Sequence, residues 1–251
     1  MKERILTALP VYNEAKHVRS VLNQVLQHAS DILVVNDGST DGTAAALHEF
    51  DDVIHVEDHD TNRGYGAALK TSFDHALRYG YDVLVTIDCD GQHQPALISE
   101  IAALVDNPAQ PVDMVSGSRY LAEFDRNSVA PEDRRLINMQ ITACINDQLG
   151  FDITDSFCGF KAYRVSSLAD LDITDPGYAM PLQLWIQAAD LNWRIAEFPI
   201  PLVYLEEERS FGGSLDDAEV RLNHYRSVLN AELSRRGMKQ RFTVDCGKGF
   251  A

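Results

Sequence analysis

Short runs of consecutive apolar residues alternate along the chain with segments in which apolar residues recur every three or four positions. The runs at 5–10, 31–36 and 83–87 are rich in β-branched residues, which is typical of strands buried on both faces of a sheet. The segments near 18–26 and 67–79 have the spacing of amphipathic helices. This alternation predicts an α/β fold in which helices flank a mostly parallel central sheet.

The second half of the chain continues with longer helical segments and fewer strand-like runs. Its pattern predicts strands near 114–118 and 194–204, and helices near 95–105, 131–149, 181–191 and 215–236. We therefore expect a single domain over residues 1–236, followed by a polar C-terminal tail over 237–251.

Loops rich in acidic residues and glycine follow the predicted strands. Ligands bind beyond the carboxyl ends of the strands in open α/β sheets, so we expect these loops to meet at one edge. They are Pro10–Glu14, Asp37–Thr43, Asn62–Gly66, Asp88–Gln92 and the residues around Arg119. Asn13 in the first loop can cap the helix that follows it. Gly64 and Gly66 stand just before a helix, which indicates either a phosphate cradle or an ordinary glycine-containing turn.

The loop after the run 83–87 carries the most specific chemistry. Asp88 and Asp90 stand at the end of a buried strand, where carboxylates are costly unless a positive group compensates them. A divalent cation does so readily, because it prefers carboxylate and amide oxygens. Gly91 lets the backbone turn, so that both acids and Gln92 can converge on one ion. The alternative is a polar loop whose acids face water, and His93 beside it suits either an ion contact or a structural hydrogen bond.

Composition narrows the possible partners and the compartment. Twenty-two Lys and Arg against 38 Asp and Glu give a net charge of −16, which argues against nucleic acid but leaves room for a local phosphate site. The cysteines have no zinc-site spacing and predict free thiols in a reducing cytoplasm; they are Cys89, Cys144, Cys158 and Cys246. We expect neither a signal peptide nor a membrane span, which needs about 18 to 20 apolar residues. Rossmann and P-loop glycine motifs are also missing.

Taken together, the loop motifs resemble the family 2 glycosyltransferases of GT-A fold, in particular the branch of dolichyl-phosphate mannose synthase and other polyprenyl-phosphate glycosyltransferases. The resemblance extends over about residues 4 to 230, with the motifs in the family's order. The matching segments are Leu9–Ala15, Val35–Thr43, Asn62–Ala67, Asp88–His93, Gly117–Tyr120, Asp155–Lys161 and Arg209–Ser214.

The resemblance implies a metal-dependent, inverting transfer of a hexose from a nucleotide-diphosphate sugar of the GDP-mannose or UDP-glucose type. Asp88, Asp90 and Gln92 would hold Mg²⁺ or Mn²⁺ against the diphosphate, and Asp37 would accept a hydrogen bond from the base. The implied nucleotide-sugar site comprises Pro10, Tyr12, Glu14, Asp37, Asn62, Gly64, Gly66, Asp88, Arg119, Lys161 and Ser214.

The resemblance also implies catalytic roles for Asp90, Asp155 and Arg209. A leaving diphosphate develops negative charge, which a bound cation and an arginine stabilise. Arg119 and Arg209 are candidates for that arginine. The alternative for both is an ion pair with a neighbouring acid.

The acceptor implied first is a polyprenyl or dolichyl phosphate, whose ionised phosphate needs no general base. A hydroxyl acceptor needs one, usually a carboxylate. Where many relatives carry that carboxylate, this chain has Ala179 and Gln183, although Asp155 is available as a base. Leu215 stands where relatives acting on polyprenyl phosphate often have lysine. Two alternatives therefore stay open: transfer to a hydroxyl acceptor, and a non-catalytic nucleotide-sugar-binding protein. The location also stays open, either free in the cytoplasm or peripheral at the cytoplasmic membrane face.

Overall fold

A seven-stranded sheet forms the centre of the computed structural model, which describes residues 3–125, 127–204 and 213–239. Its strands are β1 (Ile5–Val11), β2 (Asp31–Asn36), β3 (His55–Asp58), β4 (Val83–Thr86), β5 (Met114–Ser118), β6 (Lys161–Arg164) and β7 (Ile195–Pro199). Their order is β3-β2-β1-β4-β6-β5-β7, and only β6 runs antiparallel to its neighbours. The predicted mostly parallel α/β fold is confirmed.

Helices cover both faces of this sheet. In the described residues they are α1 (Val18–Val25), α2 (Thr43–Leu47), α3 (Tyr65–Tyr79), α4 (Ile98–Val105), α5 (Glu132–Leu149), α6 (Val165–Leu168), α7 (Met180–Asp190) and α8 (Ala218–Arg235). In this part of the chain, no helix is both long and apolar enough to cross a bilayer.

The strands alternate their side chains between two apolar layers. On β2, Leu33 and Val35 pack with residues of α3, α5, α7 and α8, whereas Ile32 and Val34 pack with α1, α2 and α4. All four side chains are at most 1% exposed. Strand β2 is therefore apolar on both faces, and only its end is available for polar chemistry.

The register of β1, β2 and β3 places the polar loops that follow them at the same end of the sheet. Val11 on β1 pairs with Asn36 on β2, and Asn36 pairs with Asp58 on β3. The three strands therefore end side by side, and the loops that follow them project from the same edge. This arrangement places the segments singled out in the sequence next to one another.

Asn13 does not cap α1. The helix begins after His17, and Asn13 lies at a φ of 56° in the left-handed region. Its side-chain oxygen accepts hydrogen bonds from the backbone N–H groups of Thr40 (2.8 Å) and Asp41 (3.3 Å). Asn13 thus ties the loop after β1 to the loop after β2, a long-range role that local capping preferences do not reveal.

Strand β6 was not predicted from the sequence pattern. Its four residues begin with Lys161 and end with Arg164, and it inserts between β4 and β5 with antiparallel pairing on both sides. The segment before it then lies against the loop after β4. A Cβ atom on Gly159 would stand 2.1 Å from Asp88 Oδ2, so glycine is needed there for Asp88 to keep its place.

A buried carboxylate joins α7 to α8. Glu232 is 1% exposed and accepts hydrogen bonds from Gln183 Nε2 (3.0 Å) and Gln187 Nε2 (2.9 Å) on α7. Arg235 Nη2 (2.7 Å) and Arg236 Nε (3.3 Å) supply positive charge from the end of α8. The group is therefore hydrogen-bonded and paired, as a buried charge must be.

Replacing Glu232 by alanine should lower the free energy of unfolding by about 3–5 kcal/mol, because buried donors would lose their acceptor and two arginines their counter-charge. Urea denaturation of Glu232→Ala beside wild type measures the change. Glu219→Ala, an exposed position on the same helix, is the matched control and should stay within about 0.5 kcal/mol. Equal stability of Glu232→Ala and Glu219→Ala would contradict this account.

Candidate active site

A cleft of about 950 Å³ opens at the carboxyl ends of β1, β2 and β4. Its acidic end is formed by loops that follow the first four strands and includes Glu14, Asp37, Asp41, Asp88 and Asp90. Its arginine end is formed by residues of α5 and α8, by the turn before α7, and by the segments that follow β5, precede β6 and follow β7. That end includes Arg119, Tyr120, Arg134, Phe157, Tyr178, Tyr204, Arg221 and Tyr225.

The structure brings most of the residues singled out in the sequence to this cleft. Those that line it are Pro10, Tyr12, Glu14, Asp37, Asn62, Gly64, Asp88, Asp90, Gln92 and Arg119. Four described candidates do not line it: Gly66, Asp155, Lys161 and Ser214. Arg209 lies outside the described residues, as do Cys246 and most of the proposed C-terminal tail.

Asp37 fixes the loop that follows β3. The side chain is almost fully buried, and Oδ1 contacts His59 Nδ1 at 2.6 Å and accepts from the Arg63 N–H at 2.9 Å. Oδ2 accepts from the Gly64 N–H at 2.7 Å. A carboxylate oxygen has two lone pairs, so Oδ2 retains acceptor capacity for a donor in the cleft.

Gly64 and Gly66 allow the start of α3 to approach another backbone segment closely. Gly64 has a φ of 103°, and a Cβ atom there would stand 2.3 Å from the Pro176 carbonyl oxygen. A Cβ atom on Gly66 would stand 2.5 Å from the Asp175 carbonyl oxygen. The Ala67 N–H donates to the Pro176 carbonyl at 3.1 Å. Both glycines thus face the 175–177 turn; only Gly64 lines the cleft, and its N–H is donated to Asp37.

Asp88 is held from both sides of its carboxylate. Tyr65 Oη donates to Oδ1 at 3.0 Å, and His93 Nε2 lies 3.2 Å from Oδ2. His93 also stacks on Phe160, with ring centroids 5.7 Å apart. Burial, together with the charge of Asp88, raises the pKa of Tyr65 well above its usual value. Tyr65 therefore keeps its proton and acts as a donor to Asp88 at neutral pH.

Asp88, Asp90 and Gln92 offer oxygen atoms that suit a hard divalent cation. Asp90 Oδ1 accepts from the Gln92 N–H at 3.0 Å, which shapes the turn between them. In the described residues, no group of three or more His, Cys, Asp or Glu side chains could hold a metal by itself. Two carboxylates and an amide fit an ion that completes its coordination with water and substrate phosphates, as Mg²⁺ usually does.

Asp155 does not line the cleft, as the general base considered in the sequence analysis would have to. The residue is fully buried and its carboxylate accepts from five donors, which come from Arg119, Asn138 and the Phe157 backbone. Burial would raise the pKa of Asp155, but the charge and hydrogen bonds of Arg119 lower it to about 2. A weakly basic carboxylate without access to the cleft does not take a proton from an acceptor. It holds Arg119 in place instead.

Lys161 and Ser214 also lie outside the cleft, although the resemblance placed both in the nucleotide-sugar site. Lys161 is 2% exposed, and its ammonium group donates to Ser116 Oγ at 2.8 Å and to the Cys158 carbonyl oxygen. Burial lowers its pKa. Ser214 is exposed in a 3₁₀ turn, Gly213–Asp216, just before α8. A phosphate in the cleft therefore meets neither residue in this conformation.

The cleft also contains residues that the sequence analysis did not single out. Arg221 and Tyr225 stand four positions apart on α8 and so share one face, a spacing that could have been noticed. Arg221 is 2% exposed and is bound by the Leu215 carbonyl oxygen at 2.7 Å and by Asp133 Oδ2 at 2.5 Å. Arg134 comes from the first turn of α5. Nothing in its local sequence shows that it faces the cleft.

Comparison with solved structures defines the class of fold. Glucosyl-3-phosphoglycerate synthase from Mycobacterium tuberculosis in complex with phosphoglyceric acid superposes with a TM-score of 0.70, over 95% of this chain and 82% of that one, at 20% identity. The same enzyme with Mn²⁺, UDP-glucose and phosphoglyceric acid also gives a TM-score of 0.70, at 19% identity. The chain therefore has the GT-A glycosyltransferase fold.

Sequence comparison gives the family. The model for glycosyl transferase family 2 matches residues 7–172, and the chain belongs to this family of glycosyltransferases. Undecaprenyl-phosphate mannosyltransferase of Micrococcus luteus is 33% identical over 88% of this chain and 93% of its own length. Polyprenol monophosphomannose synthase of Mycolicibacterium smegmatis is 33% identical over 82% of this chain and 79% of its own length.

Asp155→Asn should lower the free energy of unfolding by about 2–3 kcal/mol at pH 7, because buried Arg119 loses its counter-charge. Since the native pKa of Asp155, about 2, is below its usual 3.8, its stabilisation is complete above the usual value and disappears as pH falls through the native one. Urea denaturation from pH 7 to pH 3 should therefore show the deficit of the variant shrinking below about pH 4.

The control for this series is Asp152→Asn, an exposed aspartate three residues earlier. It should match wild type throughout the pH range within about 0.5 kcal/mol. A deficit for Asp155→Asn that stayed constant down to pH 3 would show that the Asp155 charge does not stabilise the fold in the way described.

Proposed function

We propose that this protein is a metal-dependent, inverting glycosyltransferase that moves a hexose, most simply mannose, from a nucleotide-diphosphate sugar to a polyprenyl phosphate. The observation that carries the proposal is the separation of charge in the cleft. Every carboxylate among its described lining residues lies at the acidic end, and three arginines lie at the other end. Asp155 and Asp133 pair with two of these arginines but do not line the cleft, so an acceptor bound among the arginines should itself be an anion.

The arginine end suits an acceptor phosphate because guanidinium groups form strong, charge-assisted hydrogen bonds with phosphate oxygens. The aromatic rings of Phe157 and Tyr225 have centroids 4.9 Å apart at this end, and the partly buried ring of Phe157 would offer apolar surface to the first units of a lipid chain. Burial raises the pKa of Tyr225 to about 12, against the opposing effect of the Arg221 and Arg134 charges. The chain can thus bind a phosphate locally despite its overall charge of −16.

The chemistry that follows needs little proton transfer. An oxygen of the acceptor phosphate, already ionised near neutral pH, attacks the anomeric carbon of the sugar. The bond from that carbon to the nucleotide diphosphate breaks, and the nucleoside diphosphate leaves with the electron pair. Direct attack inverts the configuration at the anomeric carbon. Since the attacking oxygen carries no proton to remove, the buried position of Asp155 is compatible with this reaction.

The acidic end would hold the donor. Asp88, Asp90 and Gln92 would bind Mg²⁺ or Mn²⁺, which supplies positive charge that stabilises the leaving diphosphate. The remaining Oδ2 lone pair of Asp37 would accept from the N–H of the base, and Tyr12, 41% exposed beside it, offers a ring to the nucleotide. Solved relatives of the same fold contain Mn²⁺ with UDP, which supports a divalent ion at this position.

The names of the similar proteins support the acceptor and the sugar. Two relatives at 33% identity are named for transfer of mannose to undecaprenyl or polyprenol phosphate. A third, from Methanococcus voltae and 28% identical, is named for transfer of N-acetylglucosamine to dolichyl phosphate. The lipid phosphate is common to all three, whereas the sugar varies. We therefore propose the acceptor class first and mannose second, with the protein acting at the cytoplasmic face of the membrane.

Loss of the metal site should abolish metal-dependent donor binding. Calorimetry with GDP-mannose and UDP-glucose, each with and without Mn²⁺, should show binding of one donor that Mn²⁺ strengthens. Asp90→Asn should lose that increase. Asp74→Asn, an exposed change on α3, is the control and should behave as wild type. Binding of neither donor by wild type in the presence of Mn²⁺ would contradict the proposed donor.

Loss of a cleft arginine should weaken the binding of the acceptor rather than the binding of the donor. Arg134→Met should raise the KM for a short-chain polyprenyl phosphate about 10- to 100-fold, since a hydrogen bond to a charged group contributes about 1.5–3 kcal/mol. The donor KM should change little. Arg78→Met, exposed on α3, is the matched control.

The same assay separates the competing functions. The corresponding polyprenol, which lacks the phosphate, should not be glycosylated. Transfer to the alcohol, or to a sugar hydroxyl in place of the lipid phosphate, would favour the hydroxyl-acceptor alternative. Donor binding without transfer to any of these acceptors would favour a non-catalytic nucleotide-sugar-binding protein.

A further inference from the structure

We propose that Tyr65 is a positioning residue that fixes the orientation of the Asp88 carboxylate for the cation. This inference rests on the proposed metal-dependent function, because it assigns a role toward that ion. Tyr65 is the first residue of α3 and lies between the acidic end and the arginine end of the cleft. It stands between Gly64 and Gly66, in a motif whose glycines drew attention in the sequence and whose tyrosine did not.

The hydrogen bond from Tyr65 is directed at one defined oxygen. Tyr65 Oη donates to Asp88 Oδ1 at 3.0 Å, while His93 Nε2 lies 3.2 Å from Oδ2. Each carboxylate oxygen has two lone pairs, so a single hydrogen bond does not use the whole accepting capacity of an oxygen. The two contacts together restrict rotation about the Cβ–Cγ bond of Asp88. The lone pairs that remain then have a fixed direction before an ion binds.

Packing constrains the Asp88 carboxylate on one side only. Gly159 from the segment before β6 closes one side so tightly that an added Cβ would stand 2.1 Å from Oδ2. The side chain of Asp88 is nevertheless 28% exposed to the cleft. A carboxylate that is packed on one side and open on the other depends on directed donors to hold one orientation.

The ring of Tyr65 is itself held in place. It stacks on the ring of Tyr178, with centroids 5.8 Å apart and an angle of 17° between the planes. Tyr178 follows the 175–177 turn, and Gln183 accepts hydrogen bonds from the Thr174 and Asp175 N–H groups of this segment at 2.9 and 2.7 Å. The hydroxyl group of Tyr65 therefore projects from a rigid support. Phenylalanine at this position would keep the stack and lose only the donor.

The test is the affinity for Mn²⁺ alone and in the presence of GDP or UDP, measured by the electron paramagnetic resonance signal of the free ion. Tyr65→Phe should weaken Mn²⁺ binding about tenfold, the lower part of the range seen when a hydrogen bond to a metal ligand is removed. In steady-state kinetics the KM values for Mn²⁺ and donor should rise, and the KM for the acceptor should not. A purely structural role for Tyr65 would not produce this separation.

Tyr79→Phe is the matched control, because it removes one hydroxyl group from an exposed tyrosine on the same helix. It should bind Mn²⁺ as wild type does. Wild-type or tighter Mn²⁺ binding by Tyr65→Phe would overturn the inference and leave the proposed function intact, since the site would then bind metal without this hydrogen bond. Failure of wild type to bind Mn²⁺ with either nucleotide would instead overturn the metal site itself, and the inference with it.

Discussion

The burial of carboxylates at the carboxyl edge of the sheet is the constraint on which the cleft depends. A buried acid is tolerated only where donors meet it, and here those donors come from other elements. Asp37 after β2 is met by the loop after β3, Asp88 after β4 by α3, and Asp155 by the residue after β5 and by α5. Each set of hydrogen bonds therefore fixes one loop against another. The shape of the cleft follows from satisfying these groups.

The same constraint explains how so acidic a chain could bind the two anionic ligands of the proposed reaction. At the acidic end, carboxylates face the cleft and would bind the proposed cation, which in turn would bind the diphosphate. At the arginine end, the positive charge belongs to the protein, and acids paired with the arginines keep the side chains in fixed positions. Asp155 does this for Arg119, and Asp133 does it for Arg221. Two phosphate-bearing ligands can therefore lie in one cleft with a separate source of neutralisation for each.

The sequence predicted the features that depend on local pattern. Buried β-branched runs identified β1, β2 and β4, and the loops after them did converge, because parallel strands end at the same edge. The features that depend on distant contacts were missed. Strand β6 is short, begins at buried Lys161 and has no apolar run, so its two neighbours define it rather than its own residues. The partner of Asp155 and the direction in which Arg134 points depend in the same way on residues far along the chain.

Strand β6 also has a consequence for how the chain folds. The parallel strands β1 to β4 come from residues 5–86 and pair among themselves. β5 and β7 pair with each other, and β6 is the strand that joins the two sets. Contacts between near neighbours in sequence cost less chain entropy than distant ones and form sooner. Strand β6 lies closer in sequence to β5 than β7 does, so β6 should pair with β5 before β7 does. The pairing of β4 with β6 closes a long stretch of chain, and the two ends of the cleft should come together only when these two strands have paired.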